Sequence, residues 1–416
     1  MKEHSAYKSY KDSEIDWVGI IPKHWEIKKN KHLFIIVKRI AGELGKEVLS
    51  ITQHGIKVKD IESGGGQLSM DYSKYQIVEK GDFGMNHMDL ITGYVDISKF
   101  DGVMSPDYRV FKLIHLDSDP NYMLYLFQKA YWDKLFFSLG QGSSELGRWR
   151  LPADEFNLFK IPVPPLQEQT IIANFLDKKT TEINEFIALK EKTIGLLKER
   201  KMAIITQSIT KGLNSSVEMK DSDIEWLGEI PKHWEVKKMK YLSKIKTGDR
   251  DTVHKEENGT YPFFVRSDKI QKISSFSFDG EAVLTAGDGA GVGKVFHYTN
   301  GKFDYHQRVY KVSNFKNVIG KFIYYYMKVN LFKEVMKISV STTVESLRLP
   351  MLLNFPIAYP NIKSQKNIIE HIDFELKTID DIIINTQNEI NLIKEYQQSL
   401  ISEVVTGKVD VRKFKS

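Results

Sequence analysis

A chain of 416 residues that is 41% apolar can bury cores for more than one domain, and its 60 Lys and Arg against 54 Asp and Glu leave a net charge of +6. That balance permits a nucleic-acid partner without requiring one. With no cysteine, the chain can form no disulfide, thiolate nucleophile or Cys-ligated zinc site. The start, MKEHSAYKSYKDSE, lacks an apolar signal core, and runs such as Leu33–Val37 fall far short of the ~20 residues that span a bilayer. A soluble, cytoplasmic protein with no membrane partner is expected.

In chain order, the first legible element is a segment that returns later. Residues 11–33 read KDSEIDWVGIIPKHWEIKKNKHL and residues 220–242 read KDSDIEWLGEIPKHWEVKKMKYL. Trp17, Pro22, His24 and Trp25 recur as Trp226, Pro231, His233 and Trp234. A fixed-period repeat this long means two copies of one large unit. The correspondence continues: Gly81 with Gly280, Asp89 with Asp288, Arg109-Val110-Phe111-Lys112 with Arg308-Val309-Tyr310-Lys311, Arg150-Leu151-Pro152 with Arg348-Leu349-Pro350, and Gln169 with Gln365. The falling displacement requires an insertion in the first copy between His32 and Gly81. Residues 34–80 and 243–279 hardly resemble each other, so one scaffold carries two different middles.

Within the modules, β-branched and aromatic runs predict strands at Glu47–Ile51, Arg109–Ile114, Tyr261–Val265, Ala282–Thr285 and Arg308–Val312. Amphipathic spacing predicts one helix per module, Tyr122–Leu139 and Gly320–Ile338. After each module comes a long stretch almost free of Gly and Pro. The apolar positions Ile172, Leu176, Ile183, Ile187, Ile194, Leu197 and Ile204 step like a heptad, and Ile368, Ile372, Ile379, Ile383, Ile390, Ile393 and Leu400 repeat that seam. Pro164-Pro165 and Pro360 precede these helices, and Gly212 and Gly407 follow them. About forty residues at 1.5 Å rise make rods of roughly 60 Å. Matched seams favour an antiparallel coiled coil over two helices each lying on its own module.

Catalytic motifs are missing. Gly289–Lys294 imitates a phosphate loop but has Asp288 in place of the leading Gly and Val295 in place of Ser or Thr. No run of the Asn/Asp-Pro-Pro-Tyr/Phe type occurs, and the best Glu-x-Lys, Glu375–Lys377, lies in a predicted rod. His24 and His233 stand without a second ligand at useful spacing, so they read as packed turn residues. Trp17, Trp25, Trp226 and Trp234 read as anchors of module to rod, and Asp89 and Asp288 as turn residues.

The W-x-G-x-I-P-x-x-W opening of each half, Pro164–Gln169 leading into a rod, and the closing Thr406-Gly407-Lys408 resemble the specificity subunit of type I restriction-modification systems. The second half departs with Pro360-Asn-Ile-Lys-Ser-Gln365, which lacks the Glu of the first copy. The resemblance implies an α+β fold of two globular α/β target recognition domains, residues 1–162 and 214–358. Two long antiparallel coiled-coil spacer helices, 163–213 and 359–416, join them. It implies a non-catalytic subunit whose domains each read half of an asymmetric bipartite target on double-stranded DNA. Two methylation subunits and restriction subunits are the implied partners. No cofactor is expected in this chain; S-adenosylmethionine, ATP and Mg belong to the partners. Residue types suited to phosphates and base edges give as DNA-binding candidates His54, Lys57, Lys59, Asn86, His87, Ser143, Ser144, Arg148 and Arg150 in the first module. In the second they are Arg250, Arg266, Lys269, Thr285, His306, Arg308, Thr342, Thr343 and Arg348. The alternative is a duplicated protein-binding adaptor without DNA contact.

Overall fold

The computed structural model describes residues 6–61, 69, 71–142, 149–338 and 346–414. The chain divides into two compact units, one made of Met1–Leu189 with Asn388–Ser416 and the other of Lys190–Gln387.

In the first unit the frame is a four-stranded sheet in the order Phe34–Val37, Arg109–Leu113, Phe83–Met85, Val95–Ile97. The second unit repeats that order with Lys244–Thr247, Val309–Ser313, Phe278–Ala286 and Phe296–Tyr305. The middles then diverge, as the sequence leads one to expect. The first adds a hairpin, Leu49–Thr52 with Gly55–Val58, and a separate pair, Gln76–Val78 with Gly102–Met104. These pack Leu49, Ile51, Ile56, Val78 and Met104 against Val110 of the frame in a small second core. The second instead extends its sheet by Tyr261–Phe264, parallel to Phe296–Tyr305, and by Gln271–Ile273.

One helix backs each sheet. Pro120–Trp132 begins with proline at its first position and with Asp119 accepting from the Asn121 and Tyr122 amides, so two orphan donors are capped. The expected helix to Leu139 breaks: Lys134 takes a left-handed φ of 56° and a short turn, Leu135–Ser138, follows. Gly320–Ile338 is the helix predicted.

The long segments are single helices, Leu166–Lys211 and Ile362–Val405. None of the fourteen predicted seam residues is exposed. Within the first unit Asn184 pairs with Gln397, and Phe175 meets Phe414 with ring centroids 5.0 Å apart. Within the second, Lys201 pairs with Asp380, while Lys211 and Asn367 line one cavity. In each unit the partner numbers fall as the first helix advances, so the pairing is antiparallel.

Candidate nucleic-acid interface

What seats each module on its helix is a set of matched buried contacts. Gln169 accepts from the Asp119 amide through Oε1 at 2.9 Å and donates through Nε2 to the Pro164 carbonyl at 2.7 Å. Gln365 does the same with Ile319 at 2.9 Å and Pro360 at 2.8 Å. Both glutamines are fully buried, so neither amide can trade these bonds for water. Tyr125 donates to Asp177 and Tyr325 to Asp373, each at 2.7 Å. Trp17 stacks on Phe159 and Trp226 on Phe355. Those two tryptophans pack inside their own modules; the expected anchoring of module to helix is made by Trp25, whose indole donates to Glu168 in the first turn of the long helix. The helix ends match as well, although Lys211-Gly212 and Gly407-Lys408 come in opposite order. Lys408 donates to the Ile20 carbonyl at 2.7 Å and Lys211 to that of Glu229, its repeat counterpart. Gly407 is obligatory: its φ is +72° and an added Cβ would lie 2.4 Å from Pro22.

Sequence-distant basic groups converge on one end of the second unit's sheet. Asp288 accepts from Arg266 at 2.7 Å and from Arg308 at 2.8 Å. Partial burial alone would raise its carboxyl; hydrogen bonds and charge from the two guanidiniums outweigh this and hold it below the ordinary carboxylate range. Both arginines stay substantially exposed, at 42% and 58%. Arg308 and Arg348 line an open groove of about 410 Å³ with Asp288, Gln307, Thr247 and Tyr310. Arg250 reaches the buried Asp304 at 3.4 Å. The result is a rack in which Arg250, Arg266 and Arg308 are fixed in direction by carboxylates, a geometry suited to phosphate oxygens and guanine edges.

Among the other candidates in this unit, Lys269 is exposed. Thr285 and His306 are 1% and 2% exposed; each is a supporting residue of the sheet, without access to a groove of DNA. Thr342 and Thr343 lie outside the described residues.

In the first unit His54 and Lys57 are exposed on the Leu49–Val58 hairpin, while Lys59 is half-buried. Arg150 is exposed, its backbone paired with Gln141. Asn86 spends its side-chain oxygen on the Met88 and Asp89 amides. Arg109 departs from its counterpart Arg308: it is 7% exposed, donates to the Leu151 carbonyl at 2.8 Å and lies over the Phe156 ring. It is a packing residue and not a solvated charge. Asp89 is a turn residue, holding the Ile91 and Thr92 amides, whereas Asp288 is the organiser of the arginine rack. Ser143, Ser144 and Arg148 lie outside the described residues.

Burial, with help from the charges of Arg109 and Arg150, pushes the His87 imidazole down to about 4. The unfolded chain therefore binds the extra proton first, between its ordinary value near 6.5 and 4. Stability should be complete above that window and fall as pH drops through it. Denaturation across pH 4–7 should show this slope in wild type and less of it in His87→Phe.

Two modules of one design, each clamped to a long helix and each ending in a different polar surface, define a duplicated recognition scaffold. The family model described as the type I restriction modification DNA specificity domain matches residues 22–194 and 231–395. The chain belongs to that family, the specificity subunits of type I restriction-modification systems. It is 26% identical over 182 residues to the EcoDI specificity subunit of Escherichia coli, covering 44% of this chain and 40% of that one. It is 27% identical over 302 residues to the MjaVIII specificity subunit of Methanocaldococcus jannaschii, covering 62% and 64%. The chain thus matches less than two thirds of the length of either relative. A chain from a structural study of complex assembly and conformational transition of the type I R-M system superposes with a TM-score of 0.69 over 92% of this chain and 98% of that one. At 12% identity that likeness speaks for the fold. Among the described residues no helix is long and apolar enough to cross a membrane.

Proposed function

We propose that this chain selects the DNA sequence for a type I restriction-modification enzyme. Its two modules each read one half of a bipartite target, and its paired helices set the interval between the halves. The observation that carries the reading is the shared four-stranded frame with unlike middles: one way of seating on the helix pair, two different reading surfaces. The arginine rack at Asp288 suits the second half-site, and the His54–Lys57 hairpin with Arg150 suits the first. Large apolar side chains on the outer faces of the helices, including Phe374 at 69%, Leu392 at 63% and Ile384 at 57% exposed, suit the docking of methylation subunits. Bond-making, S-adenosylmethionine, ATP and Mg then belong to the methylation and restriction subunits, in the cytoplasm where the target DNA lies.

Exchange of residues 34–160 for those of a relative with another target, followed by adenine-methylation mapping in cells that supply the methylation subunits, tests the division of labour. One half-site should change while the other half-site and the interval stay. A change in both halves would refute it. In a gel-shift titration of the assembled enzyme on DNA carrying its mapped target, Arg308→Ala should weaken binding by about 10- to 100-fold, the usual worth of a bidentate contact. Lys269→Ala should act weakly and without regard to sequence.

A further inference from the structure

The second unit holds a cavity of about 240 Å³ beside the indole of Trp234, and the first unit shows what fills the corresponding place. There Glu168, in the first turn of its helix, accepts from the Tyr7 hydroxyl at 2.6 Å, from Trp25 Nε1 at 3.0 Å and pairs with His24 Nε2 at 2.7 Å. The Tyr7 ring packs edge-on against Trp25, with centroids 5.9 Å apart. By the repeat, Ser364 stands where Glu168 would, next to Gln365 as Glu168 is next to Gln169, and Ser216 stands where Tyr7 would. Both filling side chains are absent from the second copy while the tryptophan and histidine that bind them are kept.

The recess is walled by Trp234, His233, Ser364, Asn367 and Lys211, and no acidic residue lines it. Trp234 is 2% exposed. Its Nε1 makes no hydrogen bond among the described residues; the bonds it does form use its backbone. Trp234 thus lines the cavity with an indole N–H that has no acceptor among the described residues, and Lys211 in the same wall has N–H donors to spare beyond the one it gives the Glu229 carbonyl, so the recess is complementary to an anion.

We infer that this cavity binds a carboxylate on an aromatic or similarly flat group, the acid accepting from Trp234 Nε1 as Glu168 accepts from Trp25, and the ring taking the place that Tyr7 holds in the first unit. The carboxylate can come from a free small molecule or from an acidic side chain of a partner chain. The inference rests on the internal repeat and not on the DNA-reading proposal, so either can fail alone.

The full chain, labelled with ¹⁵N at its six tryptophan indoles, is titrated with 4-hydroxyphenylacetate, which combines the phenol of Tyr7 with the acid of Glu168. The Trp234 indole signal, assigned by its loss in Trp234→Phe, should shift saturably. The corresponding alcohol, lacking the acid, should bind at least about tenfold more weakly. Ser364→Glu should abolish the titration by supplying the acid from within. Asn367→Asp, a change at an exposed position, should weaken binding about tenfold by charge repulsion even if the first variant folds poorly. No saturable shift at millimolar probe, equal binding of the alcohol, or binding indifferent to Asn367→Asp would each overturn the inference. Repeating the titration after assembly with methylation subunits separates the two sources. Loss of probe binding assigns the carboxylate to a partner side chain, and unchanged binding assigns it to a free ligand.

Discussion

Glu168→Ala should be among the most destabilising single changes in this chain, whereas Ser364→Ala at the equivalent position should be nearly silent. Removal of the Glu168 carboxylate strands the Tyr7 hydroxyl and the Trp25 indole, which are 5% and 0% exposed, and releases His24. An orphaned buried donor costs about 1–3 kcal/mol, so two of them put the loss near 3–5 kcal/mol. The Arg412 guanidinium over the Tyr7 ring would keep its pairing with Asp410 and lose only the charge attraction of Glu168. The effect should be local to the first unit. Amide hydrogen exchange, read segment by segment, should therefore show lost protection around residues 7–29 and 400–412, with the second unit unchanged. Glu168→Gln keeps an acceptor for Tyr7 and Trp25 and should recover much of the loss. Equal destabilisation by Glu168→Ala and Ser364→Ala would contradict this account of the joint.

The second large effect concerns the helices. One heptad inserted in each, at the paired positions beside Asn184 and Gln397, keeps the apolar seam in phase and adds about 10.5 Å of rise. At ~3.4 Å per base pair along one strand, the interval between half-sites should lengthen by about three base pairs with both half-sites intact. Two residues inserted instead turn the seam by ~200°. That places Ile194 and Ile390, now 8% and 0% exposed, on the solvent side, and the variant should fail to assemble. Methylation mapping reads both outcomes, and a heptad insertion that left the interval unchanged would remove the helices from the role of spacer.

Much of the architecture was legible because it is written in local periodicity. The seam of Ile172 through Ile204 and its copy, the prolines ahead of each helix and the glycine behind it are short-range signals, and the helices follow them. Gln169 and Gln365 were visible as a repeated pair, yet their clamp on the preceding loop needs the fold to be seen. The break at Lys134 was hidden, since a left-handed lysine carries no composition mark. Asp288 read as a turn residue because its two arginines come from strands and loops far away in the sequence. Thr285 and His306 suit DNA by residue type alone. Thr285 lies in a central strand covered on both faces, with Val283, Leu284 and Ala286 buried alongside it, and His306 sits just past the end of Phe296–Tyr305, bridged to Arg250 and buried, so neither reaches the surface. Arg109 and Arg308 share a position and a neighbourhood in the repeat, but only the second kept a carboxylate to hold it outward. The strands at Leu49–Thr52 and Tyr261–Phe264 were legible as β-branched and aromatic runs, but the divergent middles left no shared pattern from which to read their partners, Gly55–Val58 in the first unit and Gln271–Ile273 in the second.

The most direct measurement is to express this chain with methylation subunits in cells lacking other adenine methylation and to map modified adenines across the genome. The account predicts a single asymmetric motif of two short defined halves around an undefined interval, lost when the chain is omitted. A continuous or palindromic motif, or no methylation from an assembled complex, would contradict it.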